Sequence, residues 1–286
     1  GFISRKRKGS FRNPTTRRRR RRRRGSEVKG FSVILRREVF GLFISPATYV
    51  AAFYFLTLLG LGFRFFLESF ARTDWLLPPL ASLVVALIFG SPALIPFLTM
   101  RSLAEERRLG TLETLLVAPI SVTAVVVGKW FASYIYFILV CLSALGFPCL
   151  AVWLFPEETI NLRLLEPAQL IGGGIYLLAA GAAFTAIGIF ASSVTRNQMV
   201  AGMLSFTLLT LHLALMAYFH GEMPTDTMGL ATANALRDSL GSLTTGLDRL
   251  EHFVVGIIDI ATLLHYLVTT CLFLGFAILA TTRLND

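Results

Sequence analysis

Long apolar runs separated by short polar stretches fill the chain from residue 47 onward. They cover Ala47–Phe66, Leu76–Met100, Lys129–Leu154, Ala168–Ala191, Met199–Phe219 and Ala261–Thr282. Each is long enough to cross about 30 Å of hydrocarbon as a helix. Most lack the polar face that a soluble helix of such length keeps. Pro92 and Pro96 predict kinks in the second run and Pro148 in the third. Ahead of them, Phe31, Leu35, Val39, Leu42 and Phe43 fall on one helical face, while Ser32, Arg36, Arg37, Gly41 and Ser45 take much of the other. That pattern predicts an amphipathic helix lying in the membrane interface and ending at Pro46. The whole reads as an all-α polytopic membrane protein: six transmembrane helices preceded by one interfacial helix.

Two finer patterns add detail. In the fourth run Gly181, Thr185, Gly188 and Ser192 recur at spacings of four, three and four, a small-residue seam that lets another helix approach closely. Between the fifth and sixth runs, Leu250, Phe253, Val254, Ile257 and Ile258 form a helical apolar stripe, which predicts a short helix dipping into the outer leaflet with Gly256 as a turn. The triplet Gly172–Gly174 is no phosphate loop, because no Lys follows it.

Composition agrees with the membrane reading: 55% of residues are hydrophobic, 15% are charged, and the mean hydropathy is +0.67. The net charge of +10 misleads, since residues 1–29 hold fourteen Lys/Arg against Glu27 alone, including eight consecutive arginines from Arg17 to Arg24. The rest of the chain is slightly acidic. Residues 1–29 are therefore expected to form a disordered Arg-rich tail that reinforces topology and binds no nucleic acid, with residues 30–286 forming the transmembrane domain. "VKGFSVILRREVF" reads like an ordinary bacterial opening with Val28 standing for an alternative start codon, so residues 1–27 are expected to be upstream read-through.

Lys and Arg also orient the chain. Arg36, Arg37, Arg101, Arg107, Arg108, Lys129, Arg196 and Arg283 fall on one side of the spans. Arg64, Arg72, Arg163, Arg237 and Arg249 fall on the other, in longer loops diluted by acids. The first side is expected to be cytoplasmic, with both termini there. Cys141, Cys149 and Cys271 all lie within apolar runs and are expected to pack in the core.

Candidate chemistry is sparse. Gly128–Lys129 is the only Gly-Lys pair and lacks the glycine that a P-loop requires. No Cys/His cluster has metal spacing, and no hydrolase motif occurs. No cofactor is expected, and any nucleotide hydrolysis belongs to another chain. The span centres carry no Asp, Glu, Lys or Arg, which speaks against ion-coupled transport. His212 and His265 are the ionisable imidazoles within spans. They are expected to be hydrogen-bonded packing residues without an ionisable partner, so that alanine at either leaves function nearly intact.

The charged stretch between the second and third runs, "RSLAEERRLGTLETLLVAPIS", stands out against this inert background. It begins at Arg101, and Glu105, Glu106, Arg107 and Arg108 extend the second span into the cytoplasm. Gly110 can end that helix, Thr111 can cap a second, and Glu113 sits near the positive end of the latter. Its three glutamates add nothing to a positive-inside signal.

"FLTMRSLAEERRLGTLETLLVAPISVTAVVVGKW" resembles the signature region of ABC-2-type transporter permeases. "RREVFGLFISPATYV" is similar to the amphipathic helix and first span of that family, and "SSVTRNQMVAG" to its loop between spans four and five. "HFVVGIIDIATLLHYL" resembles a segment of the gliding-motility-type branch. The resemblance covers residues 30–286. It implies the ABC-2 (type V exporter-like) permease fold, location in the bacterial plasma membrane, a second permease chain (the same or different), membrane lipid around it, and a separate subunit that binds ATP. It also implies that Arg101, Glu105, Glu106, Arg107, Gly110, Thr111 and Glu113, within the loop 101–119, couple that subunit to the spans of an exporter. The alternatives are a membrane scaffold or assembly factor, and a secondary transporter or channel.

Overall fold

The computed structural model describes residues 30–72, 79–110, 121–155, 166–220, 253 and 259–283. The Arg-rich segment 1–29, Thr111, Glu113 and the apolar stripe other than Phe253 lie outside the described residues. Within them the chain is helical, without strands: α1 (30–44), α2 (Pro46–Arg72), α3 (Pro79–Thr99), α4 (Ala104–Leu109), α5 (Val122–Ala144), α6 (Gly146–Leu154), α7 (Pro167–Val194), α8 (Gln198–His220) and α9 (Ile260–Arg283). Six segments are long and apolar enough to cross a membrane, α3 with α4 and α5 with α6 each counting as one.

Local chemistry sets the helix boundaries. Pro46 and Pro167 occupy first-turn positions, where the missing N–H costs nothing. Ser121 Oγ accepts from Ala124 N at 3.3 Å, Asn197 Oδ1 from Met199 N at 3.0 Å and Asp259 Oδ1 from Ala261 N at 3.0 Å, so α5, α8 and α9 each start on a side-chain cap. At the α1–α2 corner, the buried Thr48 hydroxyl reaches the carbonyls of Leu42 and Ser45.

The prolines act differently from one another. Pro92 and Pro96 sit inside a helix that continues through both. Pro92 cannot donate to Ile88 O, and the Ser91 hydroxyl takes that carbonyl instead, at 2.6 Å. Pro148 does break its span, which divides at Leu145 into α5 and α6. The third span also starts earlier than its hydropathy suggests. Val122 opens α5, so Lys129 lies two turns inside a helix and is not its first residue.

Helix α7 is the centre of the bundle and touches α3, α5, α8 and α9, while α2 packs on α3 and α5. The small residues of α7 are what allow this. A Cβ on Gly188 would stand 2.5 Å from Thr99 Oγ1 of α3, and one on Gly181 would run into the Phe137 ring of α5. The seam thus serves packing within the chain. Trp130 and Tyr134, one turn apart on α5, donate to Ala182 O at 3.1 Å and Leu178 O at 2.9 Å, one turn apart on α7. This pair of bonds fixes the register of the two helices. Cys149 and Cys271 are exposed on the outside of the bundle, in contrast to the expected core role, and Cys141 is half-buried.

At the opposite end of α7 the glycine triplet has a packing role. Phe253 is fully buried and meets Tyr176 edge-on at 5.2 Å. Its backbone carbonyl lies where a Cβ on Gly172 would be, whereas a Cβ on Gly174 would meet nothing within 4 Å. Backbone cannot rotate away as a side chain can. Gly172→Ala is therefore expected to destabilise by about 3 kcal/mol, the upper end of the usual overpacking cost. Gly174→Ala should stay within about 0.5 kcal/mol of the parent. Thermal unfolding of the two variants in detergent checks the contrast, and equal midpoints would refute it.

Candidate coupling site

The described polar residues of the charged stretch, Arg101, Glu105, Glu106 and Arg107, converge at one end of the bundle, around the six-residue helix α4. The second span does not run on into α4. It ends at Thr99, turns over residues 100–103, and restarts at Ala104. The break is held by one side chain from another span. Ser192 Oγ, at the C-terminal end of α7, accepts from Leu103 N at 3.0 Å and Ala104 N at 3.1 Å, and donates to Met100 O at 3.3 Å. Amides that begin a helix lack intrahelical partners, and this hydroxyl satisfies two of them in a buried setting. Glu105 and Glu106 occupy the first turn of α4 and Arg107 and Arg108 the last, the arrangement the helix dipole favours. Gly110 then terminates it with φ 69°, a left-handed conformation that suits glycine.

Beneath α4 lies the strongest electrostatic feature of the described residues. The Lys129 side chain is 2% exposed, and its Nζ stands 2.7 Å from Glu38 Oε1 of α1 and 3.0 Å from Glu106 Oε1 of α4. A lone ammonium at such burial would cost several kcal/mol in lost hydration. Two carboxylates offset that cost and fasten three separate elements to one atom. In the sequence Lys129 reads as a positive-inside residue at a span end, and nothing local distinguishes Glu38. The one signal in the sequence is the presence of acids near the ends of neighbouring apolar segments.

Other contacts extend the junction. Arg107 Nη2 donates to Ala280 O at 3.0 Å, one of the last four carbonyls of α9, which have no partner within their own helix. Arg196 adds like charge near Arg107. Arg101 bonds Ser45 Oγ at 3.3 Å and pairs with Glu105 at 3.3 Å. Both sides of that last pair are substantially exposed, so it contributes little stability. Of the residues expected to face a partner, Glu106 and Arg107 thus point inward and hold α4 to the bundle. Arg108 and Leu109 are exposed at its end, Leu109 to 60%.

The interfacial helix α1 also differs in detail from its predicted form. Phe31, Leu35 and Val39 are half-buried as the pattern suggests, but the deepest residue is Ile34, packed on Gly128 of α5. Its outer face exposes Val33, Phe40 and Ile44 among Arg36 and Arg37. Such a face suits the boundary between acyl chains and headgroups, where long cationic side chains reach back to water.

The two membrane histidines are neighbours, contrary to expectation. The His212 and His265 rings stack at 5.7 Å, and Phe184 meets His212 edge-on at 5.9 Å. His212 Nε2 is buried without a hydrogen-bond partner among the described residues. The expectation that neither has an ionisable neighbour therefore fails. Their spacing in sequence hid a contact that only the packing of α8 near α9 creates.

Lys129→Met should destabilise the protein by about 3 kcal/mol, the low end for breaking a buried pair, because both carboxylates retain some access to solvent. Replacing the three charges together, as Lys129→Met with Glu38→Gln and Glu106→Gln, should recover most of that loss. Chemical or thermal unfolding in detergent reads both. If the triple variant is as unstable as the single one, the Lys129 ion cluster does not account for the loss.

Comparison with known proteins fits this architecture. No curated protein matches the chain. Residues 68–280 match the model of a family described as "ABC-2 family transporter protein". That match takes in α3 to α8, the junction around α4 and most of α9, well over half of the chain, and the protein belongs to the ABC-2 family of membrane transport proteins.

Proposed function

We propose that this protein is the permease subunit of an exporter in the bacterial plasma membrane, driven through α4 by a separate subunit that binds and hydrolyses ATP. It would act with a second permease chain, identical or different, with both termini and α4 in the cytoplasm, in the gliding-motility-type branch. The observation that carries this reading is the mechanical connection of α4. One short helix is tied to α1 and α5 through Lys129, to α7 through Ser192 and to α9 through Arg107. Its far end exposes Arg108 and Leu109. A push received there reaches four elements through short polar contacts, without Asp, Glu, Lys or Arg at the span centres. The positive-inside distribution supports a cytoplasmic α4. A passive scaffold would have no use for a small helix so firmly connected and so exposed at one end.

The residues divide into receivers and transmitters, and variants separate the two. Arg108→Glu with Leu109→Asp should weaken binding of the ATP-binding subunit at least about tenfold, because a reversed charge at a contact costs more than about 1.4 kcal/mol. The unfolding midpoint should not move. Glu106→Gln should leave binding near normal yet reduce transport per ATP hydrolysed. Glu106→Lys is unsuitable as a surface reversal, since it would set a second cation against buried Lys129. Pull-down of the ATPase, beside vesicle transport and ATP hydrolysis, reads all of these. Unaltered binding by the Arg108/Leu109 variant would refute α4 as the docking element.

Gly110 gives a separate test of the turn. A Cβ there meets nothing within 4 Å, so only the backbone resists substitution. Gly110→Val should strain the left-handed turn by about 1–2 kcal/mol and impair coupling, while Gly110→Asn, which tolerates that conformation, should keep it. Equal transport by the Val and Asn variants would show that the turn plays no part.

A further inference from the structure

Beside the Lys129 cluster lies a cavity of about 450 Å³, walled by α1, the α1–α2 corner, the end of α3, residues 101–105 and α5. That is within the range of small-molecule sites. Its lining combines charge with apolar surface. Arg101, Glu38, Glu105 and Lys129 line it, as do Ile44 and Phe97, which are 62% and 48% exposed. Ser102 lines it too, and its buried Oγ has no hydrogen-bond partner among the described residues. Nothing in the ion cluster, the packing seam or the family match requires a cavity of this size here.

We propose that this cavity binds the headgroup of a zwitterionic phospholipid bearing a primary amine, of the phosphatidylethanolamine type. Position supports a lipid. The outer face of α1 mixes exposed apolar residues with arginines, as expected at the headgroup level, and Ile44 and Phe97 continue that apolar surface beside the charged lining.

Charge selects the headgroup. Three carboxylates, Glu38, Glu105 and Glu106, face two cations, Arg101 and Lys129, so the region is one charge negative. The Lys129 ammonium is occupied by its two carboxylates. The Arg101 guanidinium bonds Glu105 and Ser45 through Nε and Nη1 and carries five N–H donors in all, which leaves it able to take a phosphate as well. An ammonium can then lie against Glu38 and Glu105, and the Ser102 hydroxyl gains a partner. A purely anionic headgroup would add to an existing negative excess. A choline group cannot donate hydrogen bonds to the carboxylates and is recognised by cages of aromatic rings, whereas Phe97 is the one aromatic ring in this lining.

Binding here would brace α1 against α4 and α5, the elements that Lys129 joins. The inference depends on membrane placement and not on the ATPase, so it is tested by lipid binding alone.

Gly41 allows a test that keeps every charge. It lines the cavity, and a Cβ on it meets nothing within 4 Å, so the side chain of Gly41→Leu starts in open space and takes up room at the cavity wall. Gly62 on α2 is equally open, lies outside the cavity, and serves as the control. The purified, delipidated full chain is offered phosphatidylethanolamine, phosphatidylcholine and phosphatidylglycerol with identical acyl chains, and retained lipid is counted by native mass spectrometry. One phosphatidylethanolamine should be retained at least about tenfold over each competitor, the equivalent of about 1.4 kcal/mol. Gly41→Leu should remove that preference, Glu105→Gln should weaken it, and Gly62→Leu should keep it. Equal retention of the three lipids, preference for phosphatidylglycerol, or an unchanged preference in Gly41→Leu with an unchanged unfolding midpoint would each overturn the proposal.

Discussion

A single ammonium group organises one end of this protein. Lys129 can be buried only if negative charge comes to it, and the carboxylates arrive from two elements far from it in sequence, Glu38 on α1 and Glu106 on α4. Desolvation makes the arrangement all-or-none: with both acids present the cation is stable, and with either displaced the cost returns. The positions of α1, α4 and α5 are thereby correlated. The same end of the bundle adds the Ser192 bonds to the break after α3 and the Arg107 bond to α9, so that the polar connections of the protein concentrate where the apolar packing ends.

Away from that end the fold rests on shape. Helix α7 brings glycines and small residues to its neighbours, and the side chains that fill the gaps, Phe137, Thr99 and Val84, come from α5 and α3. Aromatic donors from α5 set the register without needing charge. The structure divides accordingly into a membrane region held by close packing and a junction held by ions and capped helix ends. A transport protein driven by a separate subunit, as proposed, would benefit from that division. Shape-packed helices move as units, because a dense core does not deform continuously. Polar contacts at their ends determine which units move together.

Much of this was legible in the sequence. The six apolar runs gave the spans, since hydrocarbon thickness imposes a minimum length, and the seam at Gly181, Thr185, Gly188 and Ser192 gave the contact face of α7. Gly110 was legible because a glycine after a charged helical turn is a common stop. Hydropathy failed at Lys129, where a charge inside an apolar window mimics a helix end; the continuous Val122–Val127 segment before it belonged to the span. Glu38 was obscured because its relevance depends on a residue 91 positions away. The directions of Glu106 and Arg107 were hidden for a related reason. Helical periodicity tells which side chains share a face, but a six-residue helix has no long apolar stripe to say which face turns inward. The stacking of His212 on His265 likewise required two spans to be packed before it existed.

The bond from Arg107 to Ala280 joins residues 173 positions apart, and the bonds from Ser192 to the start of α4 join residues nearly ninety apart. A ribosome makes α4 long before it makes either partner. As the chain emerges, Lys129 can claim Glu106 once the third span is inserted, Ser192 can secure the helix start after the fourth, and the carbonyl of Ala280 comes only with the sixth. The anchoring of α4 is therefore complete only once the sixth span has been made. A nascent chain that has not yet reached Ala280 carries this helix without its full set of anchors, and a partner that needs a rigid contact there, as proposed, would be withheld from it.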